Sequence, residues 1–369
     1  MYTPRPWLVR VLLHAQRQEG KLMENKPFFS IVIPAYNCAG TIRATLESIA
    51  AQTVSDFEVI IVNDGSQDAT AEVLQAVAAE DSRFSFVTTP NNGPGNARNQ
   101  GIARAKGTYL FLMDADDEIE RHTLERYQAI INSESPDLIV ASYNLRVLDN
   151  QEIVSEKQVI AEERVYDSNS AFLDNLYPLM NKQLMYVIWN KIYRLDIIRE
   201  HKIAFPSYSS CEDRLFNIAY YRHAEKVVTT SEVLYQYAFE GKSSLTNKYF
   251  DNKFETFLEF YNELLELTDR DLGGFSALFL KGTMSCIIPL HGASCPLDWA
   301  GKCSYIQKIL QHPRVQYATA QSLTDTPIRK IMKLLFQSKS IYLNYVASGM
   351  MHLLSNASPK LIEKLKGNF

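Results

Sequence analysis

Tyr109-Leu110-Phe111-Leu112-Met113-Asp114-Ala115-Asp116-Asp117 is the stretch whose reading decides the fold. Five apolar residues in a row, too few for a buried helix, read as a strand covered on both faces. The run ends on three carboxylates within four residues. Like charges so close repel one another, and a divalent cation held with a diphosphate is one remedy. A solvated cluster at a helix start is the other, since acids favour helix N-termini. In an extended segment residues two apart point the same way, so Asp114 and Asp116 are expected to face one ligand together.

Working outward, residues 29–35, 57–62 and 84–88 are equally apolar and β-branched. Between them, Ile42, Leu46 and Ile49, then Val73, Leu74 and Val77, recur at helical spacing, and residues 96–106 read as a third helix. Strands alternating with helices predict an α/β fold, a Rossmann-like, mostly parallel sheet covered by helices. Ligands of such sheets bind beyond the carboxyl ends of the strands. The loops to search are therefore 34–38, 63–66, 89–95 and 114–117, all rich in Asn, Asp, Gly and Pro. The alternation then loosens: 138–141 reads as a strand, 168–179 as a helix, 185–193 as a strand-like run and 212–221 as a helix. Beyond about residue 249 the pattern is helical throughout. This divides the chain into an N-terminal extension (1–28), an α/β domain (29–246) with halves 29–117 and 118–246, and an all-α C-terminal region (247–369).

The 369 residues are 46% hydrophobic, enough for a large core, and their net charge of −4 excludes a globally basic nucleic-acid binder. Charge is unevenly spread: residues 328–369 hold seven Lys or Arg against one Glu, or +6. Five cysteines without a CxxC pair fit free thiols in a reducing compartment, so a cytoplasmic location is expected. Cys286, His291, Cys295 and Cys303 match no common zinc spacing. No apolar run is read as a membrane span of ~18–20 residues. The apolar patch from Trp7 to Leu13 is broken by Arg10 and is followed by no small-residue cleavage site. Met23 stands beside Met1 as a second possible start.

Two further segments carry chemistry. Asn63-Asp64-Gly65-Ser66 follows the second strand, where Gly brings the backbone close to a ligand and Asp64 can accept hydrogen bonds from a base or sugar; common Asp-Gly turn geometry is the plainer reading. Asn91-Asn92-Gly93-Pro94-Gly95-Asn96-Ala97-Arg98-Asn99 imitates a dinucleotide-binding loop but has Arg98 where the third Gly belongs. A guanidinium at a helix start suits an anion or base edge and does not support a nicotinamide cofactor.

Together these segments resemble the family 2 glycosyltransferases, which have the GT-A fold. Ser30-Ile31-Val32-Ile33-Pro34-Ala35-Tyr36-Asn37 looks like the family's opening strand, residues 59–66 like its second strand with an Asp-Gly-Ser turn, and residues 97–102 with 107–117 like the segment ending in its DxD motif. The match is dense from 29 to 117 and thinner to about 246. The resemblance implies an inverting transfer of one sugar from a UDP-sugar to a hydroxyl of a bacterial surface glycan or lipid-linked acceptor, with Mn²⁺ or Mg²⁺. It implies that Pro34, Tyr36 and Asp64 contact uracil and ribose with Arg98 close by, that Asp114 touches the ribose, and that Asp116 binds the metal. Processive synthases of similar type carry membrane spans and a Gln-x-x-Arg-Trp segment, and neither is read here. A nucleotide-sugar-binding protein without turnover, and a nucleotidyltransferase, remain the rival readings.

Trp189-Asn190-Lys191-Ile192-Tyr193 and Cys211-Glu212-Asp213-Arg214-Leu215-Phe216 resemble the acceptor half of the family. Asp213 is the expected general base, with Glu212 orienting it or the acceptor. A helix N-terminus weakens a carboxylate as a base, which counts against the assignment. Trp189 suits either a sugar face or the core. Tyr235-Gln236-Tyr237-Ala238 lacks the Arg that often follows in the family, and Lys242 is the substitute expected near the diphosphate. In the tail, Ile328, Ile331, Met332 and Leu335 form one expected helical stripe and Leu361, Ile362 and Leu365 another, among basic residues. Such helices either lie on an anionic membrane at the inner face of the cell membrane, or pack as a helical subdomain with a solvated basic face.

Overall fold

The computed structural model describes residues 26–149, 152–208, 210–240 and 249–357. The expected alternation is present: β1 (Phe29–Ala35), α1 (Ile42–Ala50), β2 (Phe57–Asn63), α2 (Thr70–Glu80), β3 (Phe84–Thr88), α3 (Pro94–Arg104) and β4 (Tyr109–Leu112). These strands lie parallel in the order β3-β2-β1-β4. The chain leaves β1 toward β2 on one side and returns as β4 on the other, so the strand order reverses between β1 and β4. That crevice is where a doubly wound sheet receives its ligand. Phe29, Ile31, Val32 and Ile33 of β1 and the whole of β4 are buried, as a sheet covered on both faces requires.

Helix α3 sits unusually close to β1. A Cβ on Gly101 would lie 2.3 Å from Val32 Cγ1, so only glycine lets the helix pack there. Proline at the first turn and Gly93 at φ +86° start this helix directly after its loop.

Beyond β4 the sheet becomes mixed. It continues through β5 (Glu118–Ile119), α4 (Thr123–Glu134), β6 (Leu138–Asp149), β7 (Glu152–Val159), β8 (Arg164–Tyr166), α5 (Asn169–Leu173), α6 (Leu176–Asn181), β9 (Lys191–Arg194), α7 (Leu195–Glu200), α8 (Glu212–Tyr221) and β10 (Val227–Glu240). Only four residues long, β9 runs antiparallel to both β4 and β6 and thereby joins the two halves into one sheet. The strand expected over 185–193 is confined to its end. The backbone before it turns inward instead: the carbonyls of Leu184 and Val187 accept from Lys191 Nζ, and those of Tyr186 and Val187 from Asn217 Nδ2.

The C-terminal region is helical, as expected: α9 (Lys253–Leu267), α10 (Leu272–Ile287), a 3₁₀ turn (Ile288–His291), α11 (Trp299–Gln311), α12 (Pro313–Gln321), α13 (Pro327–Gln337) and α14 (Ile341–Ala357). Residues Leu272–His291 are, after all, long and apolar enough to cross a membrane, but two-thirds of the stretch is buried inside the protein. It serves as the central helix of this region, with Phe279 stacked on Tyr261 of α9 at 4.2 Å. On α13 the expected stripe is divided. Arg329 is buried, paired with Asp325 at 2.9 Å and bonded to Tyr177 Oη and Asn181 Oδ1. This anchor turns Met332 and Phe336 inward and leaves Ile331 exposed.

The contact between Gly101 and Val32 gives a direct test. Gly101→Ala should lower stability by about 1–3 kcal/mol through overpacking, and Val32→Ala in the same chain should recover part of that loss in urea unfolding.

Candidate functional site

The loops at the carboxyl ends of β1 and β2 are stapled to one another. Asn37, at φ +47°, accepts from the Gln67 N–H at 2.7 Å and donates its own N–H to Ser66 Oγ at 3.0 Å. The Cys38 N–H donates to Thr70 Oγ1 at 2.9 Å. Above this staple Tyr36 is half exposed, with Pro34 beside it partly buried. Asp64 is buried, and its two oxygens accept from the N–H groups of Asn92 (3.0 Å) and Gly93 (2.8 Å). It thus braces the loop that starts α3, a role its local sequence did not suggest. A carboxylate has about four lone-pair sites, so these two bonds do not exhaust its accepting capacity.

Arg98 is the centre of the site. Buried near the start of α3, it reaches Asp114 Oδ1 with Nη2 at 2.8 Å, and Asp213 Oδ1 with Nη1 at 3.2 Å. Glu212 Oε1 stands 3.7 Å from the same Nη1. One guanidinium therefore joins the end of β4 to the start of α8, residues far apart in sequence. Burial works against the cation, but Asp213, Asp114 and Glu212 outweigh it and hold its pKa above the ordinary arginine value. The sequence reading placed Arg98, Asp114, Glu212 and Asp213 in the site, and the structure brings all four together.

Asp114 and Asp116 do not share a face, because the backbone turns at Ala115 instead of staying extended. Asp114 meets Arg98, whereas Asp116 is exposed at the mouth. The turn is fixed from behind by Asp117, which is buried and accepts from Tyr235 Oη at 2.7 Å and the Ala238 N–H at 2.8 Å. Tyr235 Oη in turn accepts the Asp114 N–H at 3.3 Å. Burial, then the charges of Asp114 and Asp116, push the Asp117 carboxyl well above the usual carboxylate range. Trp189 is core rather than a sugar platform: it lies between Tyr235 and Tyr237, stacked on both at 4.6 and 4.7 Å.

Beneath Asp213 lies Lys191, fully buried, its ammonium held by Leu184 O (2.7 Å), Val187 O (2.5 Å) and Asn190 Oδ1 (2.8 Å). Burial lowers its pKa well below the ordinary lysine value, opposed by the Asp213 charge. The Asp213 side chain is about a quarter exposed. Burial pushes its pKa up to about 7; Arg98 opposes the rise, and the charges of Glu212 and Asp114 add to it. Lys242 lies outside the described residues.

A family model described as "Glycosyl transferase family 2" matches residues 30–201. EpsH of Bacillus subtilis, whose name carries a glycosyltransferase assignment, is 30% identical over 284 residues, covering 74% of this chain and 77% of EpsH. The chain belongs to glycosyl transferase family 2. TarS of Staphylococcus aureus, a poly(ribitol-phosphate) beta-N-acetylglucosaminyltransferase, is 28% identical over 214 residues, covering 57% of this chain and 35% of TarS. A crystal structure of TarS residues 1–349 with UDP-GlcNAc matches with a TM-score of 0.64 at 21% identity, covering 87% of this chain and 90% of that one. The shared architecture is the GT-A fold, and this family member is a glycosyltransferase.

Among the described residues, no three His, Cys, Asp or Glu side chains converge as a ready-made metal cage. Of the three acids after β4, Asp116 is exposed, Asp114 faces Arg98, and Asp117 bonds to Tyr235 and the Ala238 N–H.

Two outcomes follow from the charge arrangement. Arg98→Leu leaves three carboxylates facing one another without their cation and should cost about 3–5 kcal/mol in chemical unfolding. Asp213, with a folded pKa above that of an unfolded aspartate, adds stability as pH falls from about 7 toward 4. Asp213→Asn imitates the protonated form, so at pH 8 it should melt above the parent, and the gap should close across that window.

Proposed function

We propose that the chain transfers a single sugar from a UDP-sugar to a hydroxyl of a glycan or lipid-linked saccharide, with inversion at the anomeric carbon. The observation that carries this reading is the shared Arg98 guanidinium, which sets a carboxylate of pKa about 7 beside the end of β4. A base is most effective when its pKa lies near the working pH. The name of TarS, a poly(ribitol-phosphate) transferase, favours a hydroxyl-bearing bacterial polymer as acceptor, and the UDP-GlcNAc held by TarS makes that donor the first to assay.

Tyr36 would lie on the uracil and Pro34 against its edge, while the remaining lone pairs of Asp64 and the carboxylate of Asp114 meet base and ribose. The acceptor oxygen attacks the anomeric carbon from the face opposite the diphosphate. Its proton passes to an Asp213 carboxylate oxygen, and the bond from carbon to the β-phosphate oxygen breaks with its electron pair leaving on UDP. Arg98 holds Asp213 in place and limits the rise of its pKa. Glu212 orients the acceptor or Asp213 from the other side of the guanidinium. Bound at Asp116, Mn²⁺ or Mg²⁺ would supply positive charge to the departing diphosphate. Lys242 is the further cation proposed for that diphosphate.

Asp213→Asn should leave UDP-sugar affinity near the parent value and reduce transfer by ~10²–10⁴-fold. In the parent, kcat should rise with pH through about 7 and level off above it, because only ionised Asp213 accepts the proton. If Glu212→Gln abolishes transfer while Asp213→Asn does not, the base is Glu212. Neither variant losing activity would defeat the assignment. Asp116→Ala should remove the Mn²⁺-dependent part of UDP binding in calorimetry, and unchanged metal-dependent affinity would clear Asp116 of that role.

A further inference from the structure

Helix α14 is inside out. Its 17 residues contain no Asp, Glu, Lys or Arg, and its most deeply buried side chains are polar. Asn344 and Ser348 are fully buried. Asn344 Nδ2 donates to Leu335 O at 2.9 Å, and Ser348 Oγ shares a 2.9 Å hydrogen bond with His291 Nε2. Gly349 lies against the His291 ring, where a Cβ would come within 2.9 Å of it. On the opposite side Tyr342, Leu343, Val346, Met350, Leu353 and Leu354 are 41 to 70% exposed. They recur every three or four positions and form one continuous apolar strip along the helix. Ile331 and Leu334, 56 and 64% exposed, extend apolar surface onto α13. A surface helix of a globular protein normally shows the reverse arrangement. Contiguous apolar surface of this kind marks an interaction site.

Charge identifies the occupant. Residues 328–357 contain Arg329, Lys330, Lys333 and Lys339 and not one carboxylate. Arg329 is consumed by Asp325, and Lys333 donates to the carbonyls of Ala320 and Ser322. Lys330 and Lys339 are exposed, one adjoining Ile331 and the other just ahead of α14. We propose that α13 and α14 form a docking surface for anionic lipid, with α14 lying in the plane of the headgroups. A second copy meeting this face about a two-fold axis would bring the lysines of both chains around the strip with no acid from either helix pair to match them. At 1.5 Å per residue α14 is about 25 Å long, short of the ~30 Å hydrocarbon core, so it lies on the membrane instead of spanning it. The surface described here is independent of Leu361, Ile362 and Leu365, which lie outside the described residues, and of the donor chemistry.

The test is flotation of the full chain with vesicles of phosphatidylcholine alone or mixed with phosphatidylglycerol at roughly 7:3, in low and high salt. The parent should float with the mixed vesicles and lose binding as salt rises. Val346→Glu with Met350→Glu should reduce partitioning on the order of tenfold or more while leaving the melting temperature and UDP-sugar hydrolysis unchanged. Lys330→Glu with Lys339→Glu should reduce it about tenfold for the anionic vesicles only. If the Val346 and Met350 pair lowers the melting temperature, Met350→Gln with Leu353→Gln takes its place. No flotation of the parent overturns the proposal. So does undiminished flotation of the folded strip variants, which would move the contact to residues 1–25 or 358–369. A parent dimer that the strip variants convert to monomer, with no vesicle binding, assigns the face to a second copy and also overturns it.

Discussion

The site depends on one buried cation shared among three carboxylates. Arg98 gains Asp114, Asp213 and Glu212 as partners, and no one of these acids is placed by its own segment alone. Asp114 comes off the end of β4, in the half with a parallel sheet. Asp213 and Glu212 begin α8, more than a hundred residues along the chain. The Phe205 backbone brings this second half into reach. Its carbonyl accepts from Asn99 Nδ2 and its N–H donates to Asn99 Oδ1, both at 2.8 Å, while its ring stacks on Phe216 of α8 at 4.2 Å. One turn of α3 therefore carries both the charge and the clamp that hold the two halves of the sheet domain in register.

The same logic explains why the carboxylates after β4 differ in behaviour despite their adjacency. Asp114 is drawn to Arg98, Asp117 is held behind by Tyr235 and the Ala238 backbone, and Asp116 is left at the surface. A turn at Ala115 separates them, and its carbonyl is fixed by Thr41 Oγ1 at 3.0 Å. The position of each acid is set by what it bonds to, so their chemical roles diverge within four residues.

The first half was legible because its physics is local. Continuous apolar strands and helical spacing announce β1 through β4, and Asn-, Gly- and Pro-rich loops announce where the ligand crevice opens. The second half was less so. The role of Lys191 is invisible in a short apolar run, because its acceptors are carbonyls turned inward by a loop that reads as strand. Asp64 stands out in sequence only as part of an Asp-Gly turn, because its brace to Asn92 and Gly93 crosses between loops and leaves no sequence period. The stripe on α13 is only partly kept, with Met332 inside and Ile331 outside, since periodicity counts apolar residues and cannot foresee that Asp325, Tyr177 and Asn181 would draw Arg329 inside.

The sandwich of Trp189 between Tyr235 and Tyr237 has an optical consequence. Of three tryptophans in the chain, Trp299 is half exposed and Trp7 lies outside the described residues, whereas Trp189 is enclosed by rings, one of which, Tyr235, carries the hydrogen bond to Asp117. A shift of the turn at residues 114–117 is thereby transmitted to the indole within two contacts. With the other two tryptophans replaced by phenylalanine, the emission of Trp189 becomes a built-in gauge of the geometry of that turn, readable without a label.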